Sequence, residues 1–232
     1  MIALPGTLLD ERSLCSALAG LDARTELLGT CPMLDDEIDR LAALAPVPAW
    51  WVGHSLGGIV ALQLAARHPQ AVAGLLLLAA NARAAPVSGR TRRAAQWDLV
   101  QQQGLRELAR CKLGPGYGLH TSDVLLHSLA DQADAVGLAR FGHQLAYADQ
   151  RPGLDERGPW IGVPVLALSA ADDALCPPVQ SDQIVALALP GIAARHDRLA
   201  HAGHLFPMQH TAWVNARLRA FMNLQLQHES SR

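Results

Sequence analysis

The chain has 232 residues, of which 50% are hydrophobic and 17% are charged, with a formal net charge of −2. This composition excludes a disordered chain and supplies enough apolar surface for one sizeable core, so we expect a single domain. The near-neutral balance offers no basic face for nucleic acid or an anionic membrane. The longest apolar run, residues 71–80, is too short to cross a bilayer as a helix.

The cysteines and the first residues indicate the compartment. The four cysteines are widely spaced and form no C-x-x-C pair, which is typical of reduced thiols. The opening stretch, MIALPGTLLDERS, lacks the basic start and uninterrupted apolar run of a secretion signal. We therefore expect a cytoplasmic protein, a monomer or small homo-oligomer, that binds neither nucleic acid nor membrane.

Six short runs are predicted to be strands, and they alternate with segments of helical spacing. The helical segments include residues 34–45 and 56–69. This alternation predicts an α/β fold with a mostly parallel central sheet and helices on both faces. The predicted strands, of which the second and sixth carry the weaker signal, are residues 1–4, 24–28, 49–52, 73–80, 163–170 and 193–200.

Residues 81–159 differ in character from the rest of the chain. They contain more charge and glutamine, no strand-like run and several amphipathic helical stretches, so we predict a helical insertion on the α/β core. Within it, Leu138, Phe141 and Leu145 are spaced to share one helical face. The first part, NARAAPVSGRTRR, is expected to be an exposed hinge or loop.

One serine stands between two glycines where a predicted strand becomes a helix. The sequence Gly53-His54-Ser55-Leu56-Gly57 fits G-x-S-x-G in the strand–turn–helix context that the motif requires. Such a sharp turn strains the serine and brings backbones close together, so side chains at the glycine positions would block it. The motif predicts an exposed nucleophile, and an ordinary tight turn is the alternative.

A serine hydroxyl needs a base and an orienting acid before it is a useful nucleophile. The strand predicted at 163–170 is followed by Asp172 and Asp173, and the loop at 198–207 carries His201 and His204. Acid and histidine thus follow the serine in the order expected for a Ser-Asp-His triad. Asp-Asp before Pro-Pro is also ordinary turn chemistry.

These motifs, together with LPGTLLDER near the start and HAGHLFPMQ before a final amphipathic helix, resemble the α/β-hydrolase fold superfamily. Within this superfamily the chain resembles the small capped carboxylesterase type, which includes pimeloyl-carrier-protein methyl ester esterases, enol-lactonases and related hydrolases. The resemblance implies Ser55 as nucleophile and His204 as base. It favours Asp173 as the acid and leaves Asp172 open as the alternative. The insertion at 81–159 corresponds to the cap.

The resemblance also implies two oxyanion donors, the backbone N–H groups of Thr7 and Leu56, with Thr7 in the loop after the first strand. The predicted chemistry is hydrolysis of a carboxylic ester with a small to medium apolar acyl group, through an acyl-enzyme. It requires no metal or organic cofactor. Hydrolysis of a lactone or thioester, cofactor-free haloperoxidase activity and a non-catalytic binding role remain as alternatives.

Substrate recognition is the least constrained part of the prediction. Trp97, Phe141, Leu145 and Leu205 are candidates for an apolar acyl pocket, although packing of the cap on the core explains each of them equally well. The substrate is expected to be a small-molecule ester, free or linked to a carrier protein. The basic run at 89–93 is a candidate docking site for such a carrier, but a solvated basic loop is the preferred interpretation.

Overall fold

The computed structural model describes residues 1–113 and 122–230, so part of the predicted insertion, residues 114–121, lies outside the described residues. All six predicted strands are present. They are β1 (Ile2–Leu4), β2 (Arg24–Thr25), β3 (Ala49–His54), β4 (Val72–Leu78), β5 (Val165–Ala170) and β6 (Ala194–Leu199). They form one sheet in the order β2-β1-β3-β4-β5-β6, and every strand pair is parallel.

Helices separate the strands along the chain. They are α1 (Leu34–Ala43), α2 (Leu56–Arg67), α3 (Val87–Leu108), α4 (Asp123–Gln150), α5 (Pro178–Ala186), α6 (Phe206–Gln209) and α7 (Thr211–Ser230). Within the described ranges, no helix is long and apolar enough to span a membrane. The predicted α/β class with a parallel sheet is confirmed.

Strand β4 explains why the sheet is covered on both sides. Leu75 and Leu77 pack into one apolar cluster, and Leu76 and Leu78 pack into another. Successive side chains of a strand point to opposite faces, so a continuous leucine run needs apolar cover on both. Helices α1, α2 and α5 contribute to the first cluster, and α7 contributes to the second.

The second predicted strand is shorter than expected. It spans only two residues, Arg24–Thr25, instead of the five at 24–28. Its neighbour β1 has three residues and pairs with it through Ile2 and Ala3. Because β2 lies at the edge of the sheet and β1 is its one strand partner among the described residues, the short β1 limits the length of β2.

The insertion between β4 and β5 is built mainly from α3 and α4. The expectation of a loop throughout residues 81–93 is wrong, because α3 already begins at Val87. Arg93, expected to be solvated, is 7% exposed and forms an ion pair with Asp149 of α4. The pairing of α3 with α4 therefore buries Arg93, while Arg90 and Arg92 of the same run stay exposed.

The apolar face predicted on residues 134–149 also needs correction. Phe141 is fully buried and Leu145 is half-buried, but Leu138 is 43% exposed. Gly137 has φ 80° and ψ 164°, which interrupts the helical geometry of α4 just before Leu138. Leu138 is thus the first residue of the second helical segment of α4, and it does not share the buried face of Phe141.

Candidate active site

Ser55 lies at the tight turn between β3 and α2. Its backbone has φ 53° and ψ −117°, and it occupies the N-cap position of α2. A positive φ is uncommon for a residue with a side chain and costs on the order of 1–3 kcal/mol. The Ser55 N–H donates to the carbonyl of Leu78, which anchors the strained residue to β4. The turn therefore holds the serine at the carboxyl edge of the sheet.

The two glycines of the motif are required by contact with neighbouring backbone. A Cβ at Gly57 would lie 2.0 Å from the carbonyl oxygen of Leu4 in β1. A Cβ at Gly53 would lie 2.4 Å from the Cα of Gly58. Real Cβ atoms do not approach other atoms so closely, so the steric interpretation of the motif agrees with the geometry.

A continuous chain of hydrogen bonds joins the serine, the histidine and one aspartate. The Oγ of Ser55 lies 2.8 Å from Nε2 of His204, and Nδ1 of His204 lies 2.8 Å from Oδ2 of Asp173. A carboxylate only accepts, so Nδ1 carries the proton and Nε2 is free to accept from the serine. His204 and Asp173 are each 3% exposed, and Ser55 is half-buried.

The structure distinguishes the two adjacent aspartates. Asp173 is buried, and its Oδ1 accepts from the N–H groups of Leu175 and Cys176 at 2.8 and 2.9 Å. Asp172 is exposed. Burial acts to raise the pKa of Asp173, but the hydrogen bonds from His204 and the two backbone groups outweigh it and lower the pKa below its usual value. Asp173 is therefore a carboxylate at neutral pH.

His54 lies directly behind this chain. Its Nε2 donates to the carbonyl oxygen of His204 at 3.0 Å, which fixes the backbone of the histidine loop. Its Nδ1 is buried, with no hydrogen-bond partner among the described residues. Burial first, and then the charge of His204, lower the pKa of His54 to about 3. His54 is therefore neutral under physiological conditions.

The lowered pKa of His54 predicts a loss of stability in mild acid. In the unfolded chain His54 binds a proton below pH 6.5, the usual pKa of histidine, whereas in the folded protein it binds one only near pH 3. Between these pH values protons bind more readily to the unfolded chain, so acid favours unfolding. We expect His54→Gln to reduce the dependence of the free energy of unfolding on pH between 6.5 and 4.5 by on the order of 1 kcal/mol per pH unit. Urea unfolding at several pH values measures this slope. His127 is exposed, so the variant His127→Gln serves as the control and is expected to keep the wild-type slope. An unchanged slope in His54→Gln contradicts the prediction.

The loop after β1 lies against the serine. A Cβ at Gly6 would be 3.2 Å from the Cβ of Ser55, and Thr7 lines the same cleft as Ser55 and Leu56. Leu56 is the first residue of α2, so its N–H is one of the helix N-terminal donors without an intrahelical partner. Both predicted donors therefore border the cleft beside the serine.

Two buried glutamines of α4 hold this loop, and sequence reasoning missed both. Oε1 of Gln144 accepts from the N–H of Leu8 at 3.0 Å, and Oε1 of Gln132 accepts from the N–H of Asp10 at 3.2 Å. Gln144 also donates to the carbonyl of Leu28. A buried N–H left unpaired is costly, so these side chains fix the loop next to the serine. Nothing in the local sequence pattern distinguishes these glutamines from solvent-exposed ones.

Comparison with known proteins gives the family. Residues 26–211 match the family model described as alpha/beta hydrolase fold, which is well over half of the chain. The chain belongs to the alpha/beta hydrolase family. The family resemblance predicted from the sequence motifs is thereby confirmed.

Two curated relatives of this α/β-hydrolase are themselves named as hydrolases. A protein of Serratia proteamaculans named carbamate hydrolase RutD is 30% identical over 210 residues, which are 86% of this chain and 74% of the relative. A pimeloyl-[acyl-carrier protein] methyl ester esterase of Neisseria meningitidis is 34% identical over 157 residues, which are 60% of this chain and 47% of the relative. The relatives thus include enzymes named for different substrates.

Solved structures share the fold at lower identity. A thermophilic esterase from Thermogutta terrifontis superimposes with a TM-score of 0.83 at 19% identity, covering 96% of this chain and 88% of that chain. The enol-lactonase of Burkholderia xenovorans superimposes with a TM-score of 0.78 at 21% identity, covering 96% of this chain and 90% of that chain. At this identity the likeness establishes the fold alone.

The cleft of this hydrolase differs from the predicted apolar pocket. Of the four candidates, Leu145 lines the cleft with Ser55. Phe141 and Leu205 have no exposed surface and belong to the cluster between insertion and core, so the expectation that they line the cleft is corrected. Trp97 stacks on Phe141 and borders a separate, more open depression beside α3. Phe141, Leu205 and Trp97 therefore pack the insertion against the core.

The cleft itself is a cavity of about 260 Å³ with a mixed lining. Ile59 and Leu145 supply apolar surface, while Gln96, Gln144 and Gln180 supply amide groups. Four arginines also line it, Arg83, Arg92, Arg93 and Arg151. The members of this cationic wall come from three separate segments of the chain, so no local sequence pattern predicts it.

Cys176 lies next to the site, and its environment determines whether the thiol can react. Cys176 is buried beside the acid loop, and its Sγ accepts from Nδ2 of Asn81 at 3.6 Å. Burial, followed by the charge of Asp173, raises the pKa of the Cys176 thiol to about 12, so it is a protonated and unreactive thiol. Across residues 1–113 and 122–230, no group of three or more His, Cys, Asp or Glu side chains is arranged to hold a metal ion.

Proposed function

We propose that this α/β-hydrolase cleaves carboxylic esters, with Ser55 as the nucleophile, His204 as the general base and Asp173 as the orienting acid. The observation that carries the proposal is the unbroken hydrogen-bond chain from Ser55 Oγ through both ring nitrogens of His204 to Asp173. A family fold alone does not imply an activity, but this constellation activates a serine in unrelated folds too.

The proposed reaction proceeds in two halves. His204 Nε2 takes the proton from Ser55 Oγ as the oxygen attacks the ester carbonyl carbon, and the protonated imidazole then gives that proton to the departing alcohol. Water next attacks the acyl-enzyme, and the same histidine removes its proton and returns one to Ser55. Asp173 stabilises the positively charged imidazole and keeps its Nδ1 protonated throughout.

Backbone donors complete the proposed machinery. The N–H groups of Thr7 and Leu56 would hold the oxyanion that develops on the carbonyl oxygen, and removal of one such donor typically costs about 100-fold or more in turnover. Their position on the cleft beside Ser55 supports this assignment. The glutamines of α4 that fix the Thr7 loop connect the insertion, which we propose to be the cap of a single domain at 1–232, to the catalytic geometry.

The proposed substrate is a small ester, free or attached to a carrier protein. The cavity of about 260 Å³ lies below the range of roughly 300–1,000 Å³ common for ligand pockets. The relative named as a methyl ester esterase acting on a pimeloyl-carrier protein supports the ester class. A cytoplasmic location, also proposed, is supported by the four cysteines, all of which are free thiols.

Covalent labelling tests the proposal. Treatment with a fluorophosphonate is expected to add one adduct mass to the wild-type protein, and Ser55→Ala is expected to show none, because only an activated serine reacts. Intact-mass spectrometry reads both, and Ser13→Ala, which removes another serine outside the cleft, serves as the matched control and keeps the adduct. A folded wild-type protein that gains no adduct contradicts the proposal, as does an adduct that survives in Ser55→Ala.

A further inference from the structure

The cleft that contains Ser55 has a strongly cationic wall. Arg83 follows β4, Arg92 and Arg93 lie on α3, and Arg151 follows α4, and all four line the cavity. Among the described residues, no aspartate or glutamate lines it. The whole chain carries a formal charge of −2, so this concentration of positive charge runs against the overall balance.

Most of this charge lacks a carboxylate partner. Arg93 forms an ion pair with Asp149. Over the described ranges, Arg83, Arg92 and Arg151 form no salt bridge, and the Nε of Arg83 instead donates to Oε1 of Gln183 at 3.0 Å. Three guanidinium groups around one small cavity therefore have no directly bonded carboxylate, although Asp149 also attracts the charge of Arg151. Arg83 and Arg92 are exposed and Arg151 is half-buried.

Two backbone carbonyl groups hold Arg151 in place. Its Nε donates to the carbonyl of Arg83 at 3.0 Å, and its Nη1 donates to the carbonyl of Ala148 at 2.8 Å. Burial first, and then repulsion from Arg93 and Arg92, lower the pKa of Arg151 below its ordinary value. The folded protein thus keeps like charges close enough to repel each other, and a bound anion would relieve this repulsion.

We infer that this arginine wall is an anion-binding subsite, and that the substrate carries a carboxylate or phosphate group at the end remote from its scissile carbonyl. The inference rests on the proposed function, because it places the anion in the same cleft as Ser55. Arginine presents planar, paired donors that match the two oxygens of a carboxylate or phosphate. The small cavity accommodates a short ester bearing such a group.

A matched pair of substrates tests the subsite. p-Nitrophenyl valerate is neutral, and mono-p-nitrophenyl glutarate has a similar length and ends in a carboxylate. The ratio of kcat/KM for the charged ester to that for the neutral ester is expected to be about 10 or more in the wild type, since hydrogen bonds to charged groups contribute enough for one to two powers of ten. Arg92→Gln is expected to lower this ratio about tenfold.

Arg90→Gln is the matched control. Arg90 lies two residues from Arg92 on α3, is exposed and borders the separate depression beside Trp97 instead of the cleft. This variant is expected to keep the wild-type ratio, which excludes a general effect of removing one positive charge from α3. Inhibition of valerate hydrolysis by glutarate or by inorganic phosphate then shows which oxyanion the subsite prefers.

Two results would overturn the inference in distinguishable ways. Hydrolysis of both esters by the wild type with a ratio near one, unchanged in Arg92→Gln, contradicts the subsite and leaves the proposed esterase activity intact. Equal losses of the ratio in Arg90→Gln and Arg92→Gln assign the preference to long-range charge and also contradict it. A wild-type protein that gains no fluorophosphonate adduct and hydrolyses neither ester contradicts the proposed function itself.

Discussion

Replacing Asp173 with asparagine is expected to lower kcat for ester hydrolysis by about 10⁴, the scale seen when a triad aspartate is changed in this way. Oδ1 of Asp173 accepts from two backbone N–H groups, those of Leu175 and Cys176. The carbonyl oxygen of an asparagine will face those donors, so its NH₂ group will face Nδ1 of His204. The ring must then carry its proton on Nε2, and it can no longer accept the proton of Ser55.

Steady-state hydrolysis of a p-nitrophenyl ester measures this loss, and the adjacent aspartate provides the control. Asp172 is exposed, and its backbone N–H bonds to the carbonyl of Ala202, so Asp172→Asn is expected to stay within about twofold of the wild type. Circular dichroism verifies that both variants are folded. A large loss in Asp172→Asn with little change in Asp173→Asn would reverse the assignment of the acid.

Replacing Gly57 with alanine is expected to lower the stability of the whole fold. The added Cβ would lie 2.0 Å from the carbonyl oxygen of Leu4 and 2.6 Å from its carbonyl carbon. These are backbone atoms of β1, which is held between β2 and β3, so they cannot rotate away as a side chain would. Forced overpacking of this kind costs about 3 kcal/mol or more, which corresponds to a fall in Tm of roughly 6–12 °C at this chain length.

Thermal unfolding measures the effect, with Gly162→Ala as control. A Cβ at Gly162 would have one neighbour within 4 Å, a terminal carbon of Leu189 at 3.7 Å, which is ordinary contact. This variant is expected to keep Tm within about 2 °C, and the lower entropy of the unfolded chain favours a slight rise. A Gly57→Ala protein as stable as the wild type would show that α2 and β1 can separate, contrary to the packing described above.

The alternation of runs along the chain was enough to predict the sheet. The leucine-rich run at 73–80 indicated a strand covered on both faces, and β4 is such a strand. The pattern failed where packing overrides local preference. The segment at 81–93 is rich in arginine and contains a proline, so it favours a loop. In the structure Pro86 is the N-cap of α3, which begins at Val87, and Arg93 of this helix pairs with Asp149 of α4.

The sequence by itself determined the family, the fold class and the turn that exposes Ser55, because these depend on local spacing of glycines, strands and helices. It also limited the candidates for the orienting acid to the adjacent residues Asp172 and Asp173. Only the tertiary structure distinguishes Asp173, which is buried and bonded to His204, from the exposed Asp172, because adjacent side chains in the chain can differ in hydrogen bonding and burial. The same holds for the cationic wall and for Gln144. Arg151 bonds the carbonyl of Arg83, 68 residues away, and Gln144 bonds the N–H of Leu8, 136 residues away, and such contacts leave no local pattern.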